Sequence, residues 1–214
     1  MKNTKNFYIN GQWIEPSENN VLDVINPANE EVVSEISLGN ENDLNKAVSA
    51  AKKAFPTYSI TTKEERLEIF EKIMDIYKKR LSDLAKAITS EMGAPVNLAN
   101  AAQAPAGLGH LKKAYNALKE YEFEYEMNTT LIRKEPVGVC GLITPWNWPI
   151  NQISCKVAPA LAAGCTMVLK PSEIAPLSGI IFSEIMDEAD VPAGVYNMIN
   201  GDGPTVGEAM SKHP

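Results

Sequence analysis

Residues 137–173 read VGVCGLITPWNWPINQISCKVAPALAAGCTMVLKPSE, and this stretch decides the fold. Residues 137–144 are apolar without alternation, the pattern of a strand buried on both faces. Pro149 opens a helix and Gly164 closes it. Proline is preorganised for a first helical position, and glycine for the residue just past the last. Cys165 to Lys170 form a second buried strand. Downstream, APLSGIIFSEIMDEA (175–189) reads as a helix, GVYNMI (194–199) as a short strand, and GPTVGEAMSK (203–212) as the start of another helix. Strand and helix alternate three times with short connections. That order predicts parallel strands joined by right-handed crossovers. The expected fold class is α/β: an incomplete Rossmann-like parallel sheet with flanking helices, an amino-terminal helical and strand region, and a protruding β-hairpin arm.

Three short segments open the chain. FYINGQWIE (7–15) carries Asn10-Gly11, a strong hairpin signal. VLDVINPANEEVVSEI (21–36) makes a second strand-turn unit around Asn26-Pro27. An amphipathic helix follows from about Glu41 to Phe55, with Leu44, Ala47, Val48 and Ala51 on one side. Thr62-Lys63-Glu64-Glu65 is a capping box that starts a second helix. Leu67, Phe70, Ile73, Met74 and Tyr77 then recur at helical spacing. Ser82 and Asp83 are the expected caps of a third helix, which stops at Gly93 ahead of Pro95. A further helix fills Val96 to Glu120. These helices read as packing elements with no cluster of convergent polar groups.

YEFEYEMNTTLIRKEP (121–136) alternates aromatic residues with glutamates, a period of two and hence a strand with one apolar face. Asn128-Thr129 turns it, and Leu131 to Glu135 returns. A lone two-stranded ribbon is marginal. It needs a partner surface, supplied either by its own domain or by another subunit. The chain thus divides into residues 1–120, the hairpin 121–136, and the βαβαβα unit 137–214.

Composition bounds the function. The chain has 214 residues, 44% hydrophobic and 22% charged, with a net charge of −7. That balance argues for solubility and against a nucleic-acid surface. No apolar run is long enough to cross a bilayer, and the first residues are not a signal peptide, so no membrane partner is expected. Three cysteines, Cys140, Cys155 and Cys165, form no pairing pattern. The expectation is a reduced, cytoplasmic protein. His110 and His213 have no ligand spacing, so no metal site is expected.

In such sheets ligands bind beyond the carboxyl ends of the strands. Three loops fall there: Thr144 to Trp148, Lys170 to Ala175, and Asn200 to Pro204. In the first, Asn147 presents an amide donor ahead of a helix N-terminus, where negative charge is favoured. It can stabilise a developing oxyanion, or it can cap the helix. Trp146 and Trp148 serve packing or cofactor contact. In the second, Lys170 and Glu173 of Lys170-Pro171-Ser172-Glu173 can bind adenosine ribose hydroxyls, with the carboxylate repelling an extra 2′-phosphate. The alternative is a surface ion pair worth little. The third loop is NGDGPTVG (200–207), whose glycines permit close backbone approach. None of the cysteines has an activating neighbour at this edge, and all three read as small packing residues.

EPVGVCGLITPWNWPINQISCKVAPALAAGCTMVLKPSEIAPLS, with NPANEEVVSEI and VPAGVYNMINGDGPTVG, resembles the NAD(P)-dependent aldehyde dehydrogenase superfamily over essentially the entire chain. The resemblance implies oxidation of an aldehyde to a carboxylic acid through a thiohemiacetal and a thioester, with a cysteine nucleophile and a glutamate base. It makes Asn147 the catalytic oxyanion donor. It places Thr144, Pro145, Trp146, Lys170, Pro171, Ser172, Glu173, Gly203, Pro204 and Gly207 along the cofactor. NAD is the expected cofactor, with NADP possible, and a small aldehyde the expected substrate. The hairpin would be an oligomerisation arm in a homo-oligomer.

The sequence departs from the family by ending at MSKHP, with no residue matching the nucleophilic cysteine or the base. The expectation is an amino-terminal portion that is inactive alone. A non-catalytic nucleotide-binding or oligomer-interaction module with the same fold, and an unrelated dehydrogenase, are the competing readings.

Overall fold

A computed structural model describes residues 2–214. The first strands, β1 (Phe7–Ile9) and β2 (Gln12–Ile14), form a hairpin whose turn residues Asn10 and Gly11 both adopt positive φ, 55° and 73°. That is the primed turn whose twist suits flanking strands. A separate ribbon, β3 (Val21–Ile25) and β4 (Val32–Ser37), is antiparallel. Helix α1 (Glu41–Tyr58) starts at a capping box in which Asn40 and Asp43 exchange side-chain and backbone hydrogen bonds. Helix α2 (Lys63–Lys79) starts at the box formed by Thr62 and Glu65. The boxes satisfy amides that lack an intrahelical partner, three at α1 and two at α2.

Helix α3 (Leu81–Met92) corrects one expectation. Its N-cap is Arg80, with no side-chain cap, and Ser82 and Asp83 lie inside the first turn. Asp83 instead accepts from Arg80 Nε at 2.8 Å. An ion pair with a neighbouring arginine has replaced the cap. The next run is a short turn α4 (Val96–Leu98), a π-helical turn (Ala99–Gln103) and α5 (Ala104–Glu120). The exposed hairpin follows as β5 (Glu124–Met127) and β6 (Thr130–Arg133), turned at Asn128.

The remaining elements are β7 (Val139–Ile143), α6 (Pro149–Ala163), β8 (Thr166–Lys170), α7 (Leu177–Glu188), β9 (Tyr196–Met198), a π-helical turn (Gly203–Gly207) and α8 (Glu208–Lys212). Strands β7, β8 and β9 are parallel neighbours. β1 joins β9 antiparallel, with Tyr8 opposite Met198, so the sheet is mixed and runs β2-β1-β9-β8-β7. Side chains alternate between two cores, as a pleat requires. Met167, Leu169, Tyr196 and Met198 face the core shared with α6 and α7. Val168 and Ile199 face α1 through Leu44, Ala47, Val48 and Ala51.

Strand β8 is buried along its whole length, as expected. Strand β7 is not. It lies at the sheet edge, and none of its residues is fully buried. Apolarity on both faces reports what covers the faces. It carries no information about whether the outer backbone is paired.

A candidate cofactor and oxyanion site at one rim of the sheet

The three loops converge as expected. They leave the same ends of three adjacent parallel strands, and two contacts tie them together. The Thr144 amide donates to the Lys170 carbonyl at 3.2 Å, linking the first loop to the second. Lys170 Nζ donates to the Gly201 carbonyl at 2.7 Å, linking the second to the third.

Lys170 is buried, with its side chain only 3% exposed. Its ammonium also donates to the Pro171 carbonyl and to Glu173 Oε2, each at 3.0 Å. An ammonium has three protons, and three acceptors here take them all. The surface ion pair considered from sequence is therefore corrected. The strand end carries Lys170 under the following loop, where it acts as a brace between loops. Glu173 is the half of the pair that reaches solvent, its side chain 30% exposed. One oxygen is held by Lys170, and the other has no hydrogen bond among the described residues.

Around this pair, Pro171 and Ser172 are buried. Ser172 closes the loop, its Oγ accepting from the Ile174 amide and its carbonyl from the Ala175 amide. In the third loop, Asp202 caps the π-helical turn through the Thr205 amide at 2.8 Å. The Thr205 hydroxyl, first, then its amide and more weakly Lys170 hold the Asp202 carboxyl below the usual range. Gly201 is required: a Cβ there would lie 2.3 Å from Val206 Cγ2. At Gly203 a Cβ would meet nothing within 4 Å, so this backbone is open to a ligand. Pro204 beside it is exposed, and Gly207 is buried near the stem of Lys170.

The first loop differs. Pro145 and Asn147 are exposed, Trp146 is 48% exposed, and Trp148 is half-buried. Helix α6 begins at N-cap Trp148 with no side-chain cap, so Asn147 does not serve the helix amides. The capping alternative is thereby removed, and the amide at the rim is free to serve a ligand. Thr144 is buried, and its Oγ1 has no partner among the described residues. Both polar atoms of the Asn200 side chain, 1% exposed, also lack one. Buried polar atoms are normally bonded, so these mark places for water or ligand.

The cysteines stand away from this rim. Cys165 precedes β8 at the opposite end of the sheet and is 3% exposed. The neighbouring Cys140 thiol holds the Cys165 thiol below the ordinary range. A lowered thiol with no access to the rim is no nucleophile for this site. Cys155 lies within α6, half-buried, with its Sγ directed to the Gln152 carbonyl. No cluster that could hold a metal occurs among the described residues. No described helix is long and apolar enough to cross a membrane.

One buried polar contact escaped the sequence reading. Glu91, wholly buried in α3, accepts from the Ser178 amide at 3.0 Å, and also from the Leu177 amide and the Ser178 hydroxyl. Desolvation pushes its carboxyl up to about 7 against these bonds. The one available signal is an acid in the last turn of a helix, where the dipole disfavours it.

Comparison with known proteins identifies the family. The model of the aldehyde dehydrogenase family matches residues 13–214. A 3-succinoylsemialdehyde-pyridine dehydrogenase from a Pseudomonas species is 55% identical over all of this chain and 45% of its own length. The crystal structure of an aldehyde dehydrogenase from Bartonella henselae superposes with a TM-score of 0.97 at 52% identity, covering 100% of this chain and 46% of that one. A mutant of aldehyde dehydrogenase C from Pseudomonas syringae, crystallised with NAD+ and octanal, gives a TM-score of 0.97 at 46% identity, covering 99% and 44%. The chain spans a little under half the length of these relatives. By sequence pattern, fold and relatives alike, this chain belongs to the aldehyde dehydrogenase family and corresponds to its amino-terminal part.

Proposed function

We propose that this chain forms the cofactor-binding, oxyanion-stabilising portion of an NAD-dependent aldehyde dehydrogenase. The observation that carries the reading is the rim itself: three loops joined through Lys170, with an uncommitted amide at Asn147. The residues fit a dinucleotide. Glu173 offers a carboxylate oxygen to ribose hydroxyls and disfavours a 2′-phosphate. Thr144 offers a buried hydroxyl with no partner, and Gly203 an unobstructed backbone. Pro145, Trp146, Pro171, Ser172, Pro204 and Gly207 shape the walls. The cofactor, when bound, supplies the hydride acceptor.

Asn147 donates its amide hydrogens to the aldehyde oxygen as negative charge develops there. Such a donor lowers a barrier by about 3 kcal/mol. The three cysteines are placed for packing, so none of them is read as the nucleophile. The chain alone is expected not to turn over aldehydes. The hairpin 121–136 exposes Tyr125, Met127 and Leu131 and is read as an arm that pairs with another subunit. The division into 1–120, 121–136 and 137–214, and a cytoplasmic setting, belong to the same reading.

Trp146 at the rim gives the test. Fluorescence titration of the purified chain should show NAD+ binding, with NADP+ about tenfold weaker because of Glu173. The same chain incubated with NAD+ and several aldehydes should produce no NADH. Equal affinity for the two dinucleotides would sink the role of Glu173. Absence of binding would sink the cofactor reading.

A further inference from the structure

Helix α7 lacks a cap of its own. Its N-cap is Pro176, which has no side chain able to accept from the first amides. The acceptor comes from elsewhere in the chain: Glu91 of α3 takes the Leu177 amide, the Ser178 amide and the Ser178 hydroxyl. Its position harms its own helix. Glu91 sits in the last turn of α3, where a negative charge opposes the dipole, whereas at the start of α7 the same charge is favoured. It is also fully buried, a costly place for a carboxyl group. A residue that breaks a local rule twice in one helix and serves another marks a functional constraint.

The beneficiary is the loop between β8 and α7. The hydrogen bonds made wholly within residues 171–176 are those of the Ile174 and Ala175 amides to Ser172, both 3.3 Å. The path of the loop is set chiefly by its two ends. Lys170 fixes one end. Glu91 fixes the other by holding Leu177 and Ser178. The two ends also touch, since a Cβ on Gly179 of α7 would lie 3.0 Å from Pro171 Cγ. A shift of the first turn of α7 therefore moves Pro171 and carries Glu173 with it.

We infer that Glu91 is a positioning residue for the nucleotide-facing loop: by anchoring the start of α7 from a different helix, it sets where the Glu173 carboxylate stands at the rim. The inference rests on the reading of Glu173 as a ribose contact given under Proposed function. Glu91 itself touches no ligand.

The test uses the whole 214-residue chain and the variants Glu91→Ala and Glu91→Gln, the second keeping a carbonyl acceptor in the same place. NAD+ affinity, urea unfolding and site-resolved amide hydrogen exchange are measured on all three. Glu91→Ala should weaken NAD+ binding about tenfold, as loss of a cap would. The Leu177 and Ser178 amides should exchange about a hundredfold faster, with β8 still protected. Glu91→Gln should recover most of both. A purely structural role would instead lower protection across the entire core and leave the affinity of the folded fraction intact. Unchanged exchange over 171–178 in a folded variant overturns the inference, whatever happens to nucleotide. If the unsubstituted chain binds no NAD+, the ribose reading fails by itself, and the exchange data still decide whether Glu91 holds the loop. If Glu91→Ala does not fold, Glu91→Gln decides: full nucleotide affinity with a freely exchanging α7 start would refute the link.

Discussion

The loops after β7 and β8 leave the same rim one strand apart, yet they are built in opposite ways. The loop after β8 is buried at Pro171, Ser172 and Ala175, bolted by Lys170 at one end and by Glu91 at the other. The loop after β7 is exposed at Pro145, Trp146 and Asn147, and its asparagine bonds to no helix amide. A surface that recognises one constant ligand gains from being fixed before the ligand arrives, because no ordering cost remains. A donor that must meet charge only as it develops needs an unoccupied amide, and one spent on its own helix could not act. The contrast between a braced loop and an uncommitted one is what this rim would need to hold a cofactor on one side and a reacting carbonyl on the other.

That contrast can be broken by substitution. The largest effect is expected at Lys170→Met. Removing the ammonium leaves the Gly201 and Pro171 carbonyls and the Glu173 carboxylate without their donor, so urea unfolding should report a loss of about 3–5 kcal/mol. A loss below about 1 kcal/mol would mean the brace is ornamental. Next comes the pH dependence of the other anchor. The Glu91 carboxyl lies near 7 when folded against 4.5 as its ordinary value. A raised carboxyl favours the folded state most below the ordinary value, and that contribution is lost as pH rises through the folded one. Relative to Glu91→Gln, the unsubstituted chain should therefore lose on the order of 3 kcal/mol between pH 4.5 and pH 7. Parallel stability curves for the two proteins would contradict this. The smallest effect belongs to the open loop. Asn147→Ala should change stability by less than about 0.5 kcal/mol, and Thr144→Val should be neutral or stabilising by up to about 1 kcal/mol, since each removes groups that bond nothing here. A destabilisation comparable to that of Lys170→Met would erase the distinction between the loops.

Much of this was legible in the sequence because the governing interactions are local. Thr62 and Glu65 are three residues apart and cap α2 as read. Asn10-Gly11 turns the first hairpin. Pro149 and Gly164 bracket α6. The order of strands and helices after Val137 brought Thr144, Lys170 and Gly201 to one edge. What escaped depends on partners remote in the chain. Nothing near Tyr8 shows that it will lie beside Met198 and make the sheet mixed. The edge position of β7 has no signature in its own residues. Glu91 reads as one more acid on a helix, because its partners at Leu177 and Ser178 belong to an element yet to come. Lys170 reads as a ribose contact or a surface ion pair, because its burial against acceptors from its own loop and the next is written in neither segment alone.

The pairing of β1 with β9 has a consequence for how the chain is made. Asn10 donates its amide to Asn197 Oδ1 across 187 residues of sequence, and Phe7, Tyr8 and Ile9 are all buried once the sheet is complete. On a ribosome adding about 5–20 residues per second, those apolar side chains emerge first and wait roughly 10–40 s for the strand that will cover them. Helices α2 to α5 can begin to condense meanwhile, since they pack on one another, whereas α1 packs on the late strands β8 and β9. The opening hairpin and the apolar face of α1 cannot be covered until then, and for that interval they are exposed to aggregation or to a chaperone.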